Sequence, residues 1–180
     1  MKFEKLSAKT INLRLVEPSD ADFIYSLRND ELFNKHLSLT SGVVGDQKKW
    51  IEKYKEREAE GKEYYFIIQR LDNNHSIGTI RMYDFKDNPA SFCWGSWILN
   101  KDKTNSAALE SALLIYNLAF KSLSFEQSHF DVRVNNEKVI GFHKKMGAEI
   151  VSENDLDYFF IYRKDVFLSS MAKFNKFLVG

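Results

Sequence analysis

Residues 10–16 alternate: Ile11, Leu13 and Leu15 fall on one side, and Asn12, Arg14 and Val16 on the other. A period of two predicts a strand. Glu17-Pro18-Ser19-Asp20 ends it. Ser19 or Asp20 can cap a helix reaching about Arg28, with Phe23, Ile24 and Leu27 at helical spacing. Residues 29–45 are mixed and polar and read as a loop or short helix. Asp46 caps a second helix over 47–60, with Trp50, Ile51 and Tyr54 inward and Gly61 as its stop. Strands follow at 63–70, 76–85 and 91–99, separated by turns at 71–75 and 86–89. Turns this short predict an antiparallel meander.

A helix is predicted over 107–121, where Leu109, Ala112, Leu113, Tyr116 and Phe120 share a face. A strand at 129–134 leads to a helix at 136–146, which Gly147 ends. Two more strands occupy 148–151 and 158–162. Val166 or Phe167, Met171, Phe174 and Leu178 then mark a closing helix. Strand-helix-strand units after a meander imply a mixed sheet with helices covering it. No repeat or linker interrupts the chain. One domain over 1–180 is expected, with a core at about 10–163 and a C-terminal helix at about 164–178.

The 180 residues are 44% hydrophobic with 8 Gly and 2 Pro, which fits an ordered chain with a sizeable core. Its 15 Phe, 8 Tyr and 3 Trp exceed what a minimal core needs, leaving some to line a pocket. Twenty-six basic and 25 acidic residues give a net charge of +1. No field of one sign dominates, which argues against nucleic acid or an anionic membrane as partner. Cys93 is the single cysteine, so an intrachain disulfide and a multi-cysteine metal site are excluded, and no metal is expected. No apolar run approaches the roughly 20 residues of a membrane helix. No signal segment follows Met1, so the cytoplasm is the expected compartment.

Two stretches carry candidate chemistry. Lys103-Thr104-Asn105-Ser106-Ala107-Ala108 opens a helix. Small residues there can let backbone N–H groups approach a phosphate, although a solvated polar turn would look the same. Asn136 to Gly147 places Asn136, Val139, His143 and Met146 on one helix face. With the order of elements, Lys103-x-x-Ser106-x-Ala108 and Asn136…Phe142-His143-x-x-x-Gly147 resemble the GNAT superfamily of acyl-CoA N-acyltransferases over residues 10–163. Leu13-Arg14, Leu27-Arg28-Asn29 and Gly95-Ser96-Trp97-Ile98-Leu99 resemble the branch of RimJ/RimL-type ribosomal-protein acetyltransferases and amino-sugar N-acetyltransferases.

The resemblance implies an α/β (α+β) fold. Its mixed sheet has six to seven strands, splayed between the fourth and fifth, with helices on both faces and an extra C-terminal helix. Acetyl-CoA is the implied co-substrate. Lys103 stands at the Arg/Gln position of the family's phosphate turn, Ser106 at its first glycine and Ala108 at its second. With Thr104, Asn105 and Ala107 they would meet the pyrophosphate, Ser106 through its hydroxyl. Ser106 departs from the pattern because serine tolerates positive φ poorly. Backbone groups of Trp97, Ile98 and Leu99 and the Asn136 amide would bond the pantetheine, and Phe142 would pack beside it.

His143 stands where many members carry a tyrosine that protonates the departing thiolate. An imidazolium held by a carboxylate could do so; alternatively His143 only packs. Asp131 is the first candidate base and Asp84 the second. Arg28, Asn29, His36, Tyr83 and Asp84 are expected at the acceptor. Trp94 and Trp97 should take opposite strand faces, so that one of them shapes that pocket.

The implied reaction moves acetyl from acetyl-CoA to a primary amine by direct attack. A nucleotide-linked amino sugar is the leading acceptor, with Arg28 suited to its phosphates. A protein N-terminus and a non-catalytic CoA-binding module are the alternatives. A monomer or a homodimer would suit either.

Overall fold

The computed structural model describes residues 3, 6–30 and 43–178. Among the described residues eight strands form one sheet: β1 (Leu6–Ser7), β2 (Ile11–Leu15), β3 (Tyr64–Arg70), β4 (Ser76–Asp87), β5 (Ala90–Leu99), β6 (Gln127–Arg133), β7 (Glu149–Glu153) and β8 (Asp157–Arg163). The spatial order is β1-β2-β3-β4-β5-β6-β8-β7. Seven match the predicted strands. The eighth, β1, is two residues long and too short to show periodicity; it pairs back on β2. The helices are α1 (Ala21–Asn29), α2 (Val44–Ala59), α3 (Ala107–Asn117), α4 (Glu137–Met146) and α5 (Lys164–Leu178).

Alternation sorts the strands onto two cores. Ile11, Leu13, Tyr64, Phe66, Ile80 and Met82 face α3 and α5. Val16, Tyr65 and Ile67 face α1 and α2, against Ile24, Ile51 and Tyr54. The helix predicted to be amphipathic is instead buried nearly all round, since Glu110, Ser111, Leu114 and Ile115 are as enclosed as its predicted face. It lies between the sheet and α5, and its last turn widens to a π form over Leu118–Ser122. α5 closes on its own domain: Phe167 is fully buried, and Lys9 N donates to Phe177 O at 2.9 Å. Gly147 ends α4 at φ 102°, where a Cβ would stand 2.8 Å from Val166 Cγ1.

Pairing is antiparallel everywhere except between β5 and β6. Those two run parallel and pair only at Ser91–Gln127 and Phe92–Ser128. Beyond Phe92 they diverge. These are the fourth and fifth of the strands predicted from the sequence, so the splay lies where the resemblance implied. β5 also carries a bulge: Arg81 opposes Gly95 and Thr79 opposes Ile98, leaving Ser96 and Trp97 without register partners on β4. Ser96 sits at φ 46°, and Thr79 Oγ1 donates to its carbonyl at 2.8 Å.

The bulge overturns the expectation for the two tryptophans. Without it, residues three apart on a strand point to opposite faces. The extra residue returns Trp97 to the face of Trp94. Their rings lie 5.2 Å apart, and both reach α3, Trp94 Nε1 donating to Tyr116 Oη at 2.9 Å and Trp97 Nε1 to Ser111 Oγ at 3.1 Å.

Candidate active site

A cavity of about 360 Å³ fills the splay between β5 and β6. On the α3–α4 side it is lined by Trp94, Trp97, Asn136, Val139 and His143, and on the opposite side by Arg28, Tyr83, Cys93 and Asp131. It therefore crosses the sheet, with the Gly95–Ser96 bulge between its two ends. Seven of the residues expected in the site are brought together here. From Cys93 onward no strand among the described residues pairs with β5 on the β6 side, so backbone donors and acceptors there could bond an extended ligand. Asn136, the residue before α4, makes no side-chain capping bond and lines the cavity.

His143 is 4% exposed and ringed by aromatics, with Phe130 at 4.2 Å and Trp94 and Phe142 at 5.4 Å between ring centres. Its Nδ1 makes no hydrogen bond among the described residues. Burial lowers its pKa to about 3. The expected carboxylate is not against it among the described residues, and at neutral pH the ring is uncharged. The imidazolium donor foreseen from sequence is corrected on this point: nothing repays the desolvation of a charge.

Across the cavity, burial pushes the Cys93 thiol up to about 11, so it stays a thiol. Tyr83 is also raised, chiefly by burial and then by Cys93 and Asp131. Its ring lies over Gly95, where a Cβ would come 3.1 Å from the hydroxyl. Asp131 has its neighbours accounted for elsewhere: His129 Nε2 meets Asp84 Oδ2 at 2.9 Å, and Arg133 Nη1 meets Asp157 Oδ2 at 3.2 Å. Its carboxylate has no ion pair among the described residues and faces the cavity.

Other expected residues lie outside this lining. Asp84 sits at a bulge of β4 with φ 52°, and the His129 bond holds its carboxyl below the usual range. Asn29 Nδ2 donates to Tyr25 O at 2.9 Å. His36 falls outside the described residues. Phe142 packs on Trp97 at 5.3 Å. Ile98 is buried just past the bulge, with Leu99 beyond it at the end of β5.

The turn before α3 is held from beneath. Thr104 Oγ1 and Thr10 Oγ1 lie 2.6 Å apart, and Ser106 Oγ donates to Glu110 Oε1 at 2.6 Å. Glu110 is fully buried and also accepts from Thr10 N at 2.8 Å. The Ser106 hydroxyl is thus committed to a carboxylate, not offered to a phosphate as expected. Ser106 has φ −101°, so a side chain there costs no backbone strain. Lys103, Asn105, Ala107 and Ala108 keep their places at the α3 N-terminus, where the dipole favours an anion. The sequence reading missed Gln47, Trp50, Tyr65 and Arg81, which form a second cavity beside the first. Only the glycine in Gly95-Ser96 signalled the bulge.

A mixed sheet opened between two parallel strands, with an unpaired strand edge opposite a helix and a cavity through the gap, defines an α/β protein built to hold an extended ligand across its sheet. The sequence profile of the acetyltransferase (GNAT) domain matches residues 10–149, and the chain belongs to that family. The solved structure of apo FdhC, described as a nucleotide-linked sugar GNAT, is 50% identical, with a TM-score of 0.92, covering 98% of this chain and 99% of that one. The "Probable N-acetyltransferase YjcK" of Bacillus subtilis (strain 168) is 26% identical over 153 residues, 78% of this chain and 84% of that protein. Spermidine N-acetyltransferase from Vibrio cholerae, in complex with CoA and spermine, shares the fold at 15% identity and a TM-score of 0.76, covering 88% of this chain and 98% of that one.

Proposed function

We propose that the enzyme transfers acetyl from acetyl-CoA to the amino group of a nucleotide-linked sugar. The observation that carries this is the cavity crossing the splay, which gives a thioester and an amine separate approaches to one bulge. The 50% identity to a nucleotide-linked sugar GNAT supports the acceptor class.

In this reading the pantetheine lies along the open edge of β5, bonded by backbone near Trp97 and by the Asn136 amide. A bulge N–H polarises the thioester carbonyl and stabilises negative charge on its oxygen. The amine enters past Arg28 and Tyr83, and Asp131 takes its proton, directly or through water. Neutral His143 donates an N–H hydrogen bond to the departing sulfur. Holding both reactants in one cavity removes much of the entropic barrier.

The test is thiol release from acetyl-CoA with a panel of nucleotide-linked amino sugars, N-terminal peptides and polyamines, each product checked by mass for one added acetyl. Turnover confined to the nucleotide-linked sugars is expected. Turnover on peptides alone would move the assignment to a protein acetyltransferase. Asp131→Asn should lower kcat about a hundredfold, within the usual range for loss of a general base.

A further inference from the structure

The second cavity, of about 320 Å³, opens on the α1–α2 side and shares Arg28, Tyr83 and Ser96 with the first. Its wall is organised around Arg81. The guanidinium lies between two rings, 5.0 Å from the Trp50 centroid and 4.9 Å from that of Tyr83, a placement favoured by the ring quadrupoles. Behind it Glu63, 4% exposed, accepts from Arg81 Nε at 3.0 Å and from Nη2. The same carboxylate accepts from Arg57 Nε at 2.6 Å. One buried anion holds two guanidiniums, so the cluster keeps a positive charge, and Arg81 retains Nη1 as a donor group. Tyr65, 2% exposed, also lines the pocket. Thr79 and Arg28 lie close to its hydroxyl, but among the described residues that oxygen has no partner at full hydrogen-bond distance and angle. A buried polar group left in this state has a cost that a ligand oxygen would relieve.

Register sets Arg81 opposite Gly95, with the two backbones about 5 Å apart. The guanidinium lies 4.9 Å from the Tyr83 ring, which itself covers Gly95, and Tyr83 and Ser96 line both cavities, so a group held there is beside the bulge. We propose that this side pocket binds the diphosphate of the nucleotide-linked acceptor, with Arg81 as the cation that sets specificity and Tyr65 as a second donor. The proposal rests on the nucleotide-sugar reading. Phosphate oxygens suit it because a planar guanidinium and a phenol both donate to them.

The test uses the full chain saturated with CoA, which occupies the co-substrate's own diphosphate contacts. UDP, ADP, thymidine diphosphate and inorganic pyrophosphate are titrated by calorimetry into the wild type, Arg81→Lys and Tyr65→Phe. Tyr65→Phe keeps the ring and its packing, so it reports on the pocket even where Arg81→Lys disturbs Glu63. Diphosphate affinity should fall roughly tenfold to a hundredfold in Arg81→Lys and several-fold in Tyr65→Phe. Both should raise KM for a nucleotide-linked amino sugar and leave KM for acetyl-CoA unchanged. If the wild type acetylates such a sugar and both variants match it in KM and diphosphate affinity, this inference fails while the function stands. A wild type that acetylates no such sugar and binds no diphosphate overturns both.

Discussion

His143 shows how one side chain's surroundings set its chemistry. An imidazole among Phe130, Trp94 and Phe142, with Nδ1 unbonded, is costly to the fold by about 1–3 kcal/mol. His143→Phe should therefore raise the denaturation midpoint while lowering kcat, with KM for acetyl-CoA little changed; both are read from one preparation. The ring also makes stability depend on pH. Its folded pKa of about 3 lies below the ordinary 6.5, so the unfolded chain takes up the proton first. This contribution is complete above pH 6.5 and is lost as pH falls toward 3. By pH 5 the wild type should have lost about 2 kcal/mol that His143→Phe retains, as urea titrations at both pH values would measure. Equal pH slopes would refute the assignment of a neutral buried histidine.

At the scale of the element, the β5 bulge decides the site. It leaves Ser96 and Trp97 outside the ladder, brings both tryptophans to α3, and sets the backbone that would meet the thioester. A non-glycine residue at positive φ costs roughly 1 kcal/mol; the bond from Thr79 to the Ser96 carbonyl offsets a similar amount. Thr79→Val keeps the shape of a fully buried residue and removes that donor. It should cost about 1–2 kcal/mol in denaturant unfolding and lower kcat about tenfold, as expected when a positioned oxyanion donor shifts. An unchanged kcat would separate the bulge from catalysis. The turn before α3 is a contrasting case: residue types at 103–108 were legible, but the partner of Ser106 was not. Glu110, four residues on, claims that hydroxyl together with Thr10 from the far end of the chain.

Across the whole molecule, the sheet is two halves joined at Ser91 and Phe92 and open beyond. A ligand bonded in the gap to β5 on one side and α4 on the other, as proposed, should stabilise the native state as a unit. CoA at about 100 times its Kd adds about 2.7 kcal/mol. Asn136→Ala should reduce the resulting rise in melting temperature markedly, measured by calorimetric scans with and without CoA. The same rise in wild type and variant would take Asn136 out of the site.

The family resemblance, not periodicity, placed the splay; alternation and helical spacing determined the seven longer strands, the five helices and their order. Those depend on each segment burying one face, which is written locally. The glycines at 61 and 147 marked helix ends for the same reason, since only the local backbone had to turn. What tertiary structure decided was the state of side chains whose neighbours are distant in sequence. The neutrality of His143 follows from Phe130 and Trp94, the shared face of Trp94 and Trp97 from one extra residue opposite β4, and the Arg81 pocket from Glu63, Trp50 and Tyr83 converging. Charge state and bulge register are energies of an assembled environment, and no segment carries them alone.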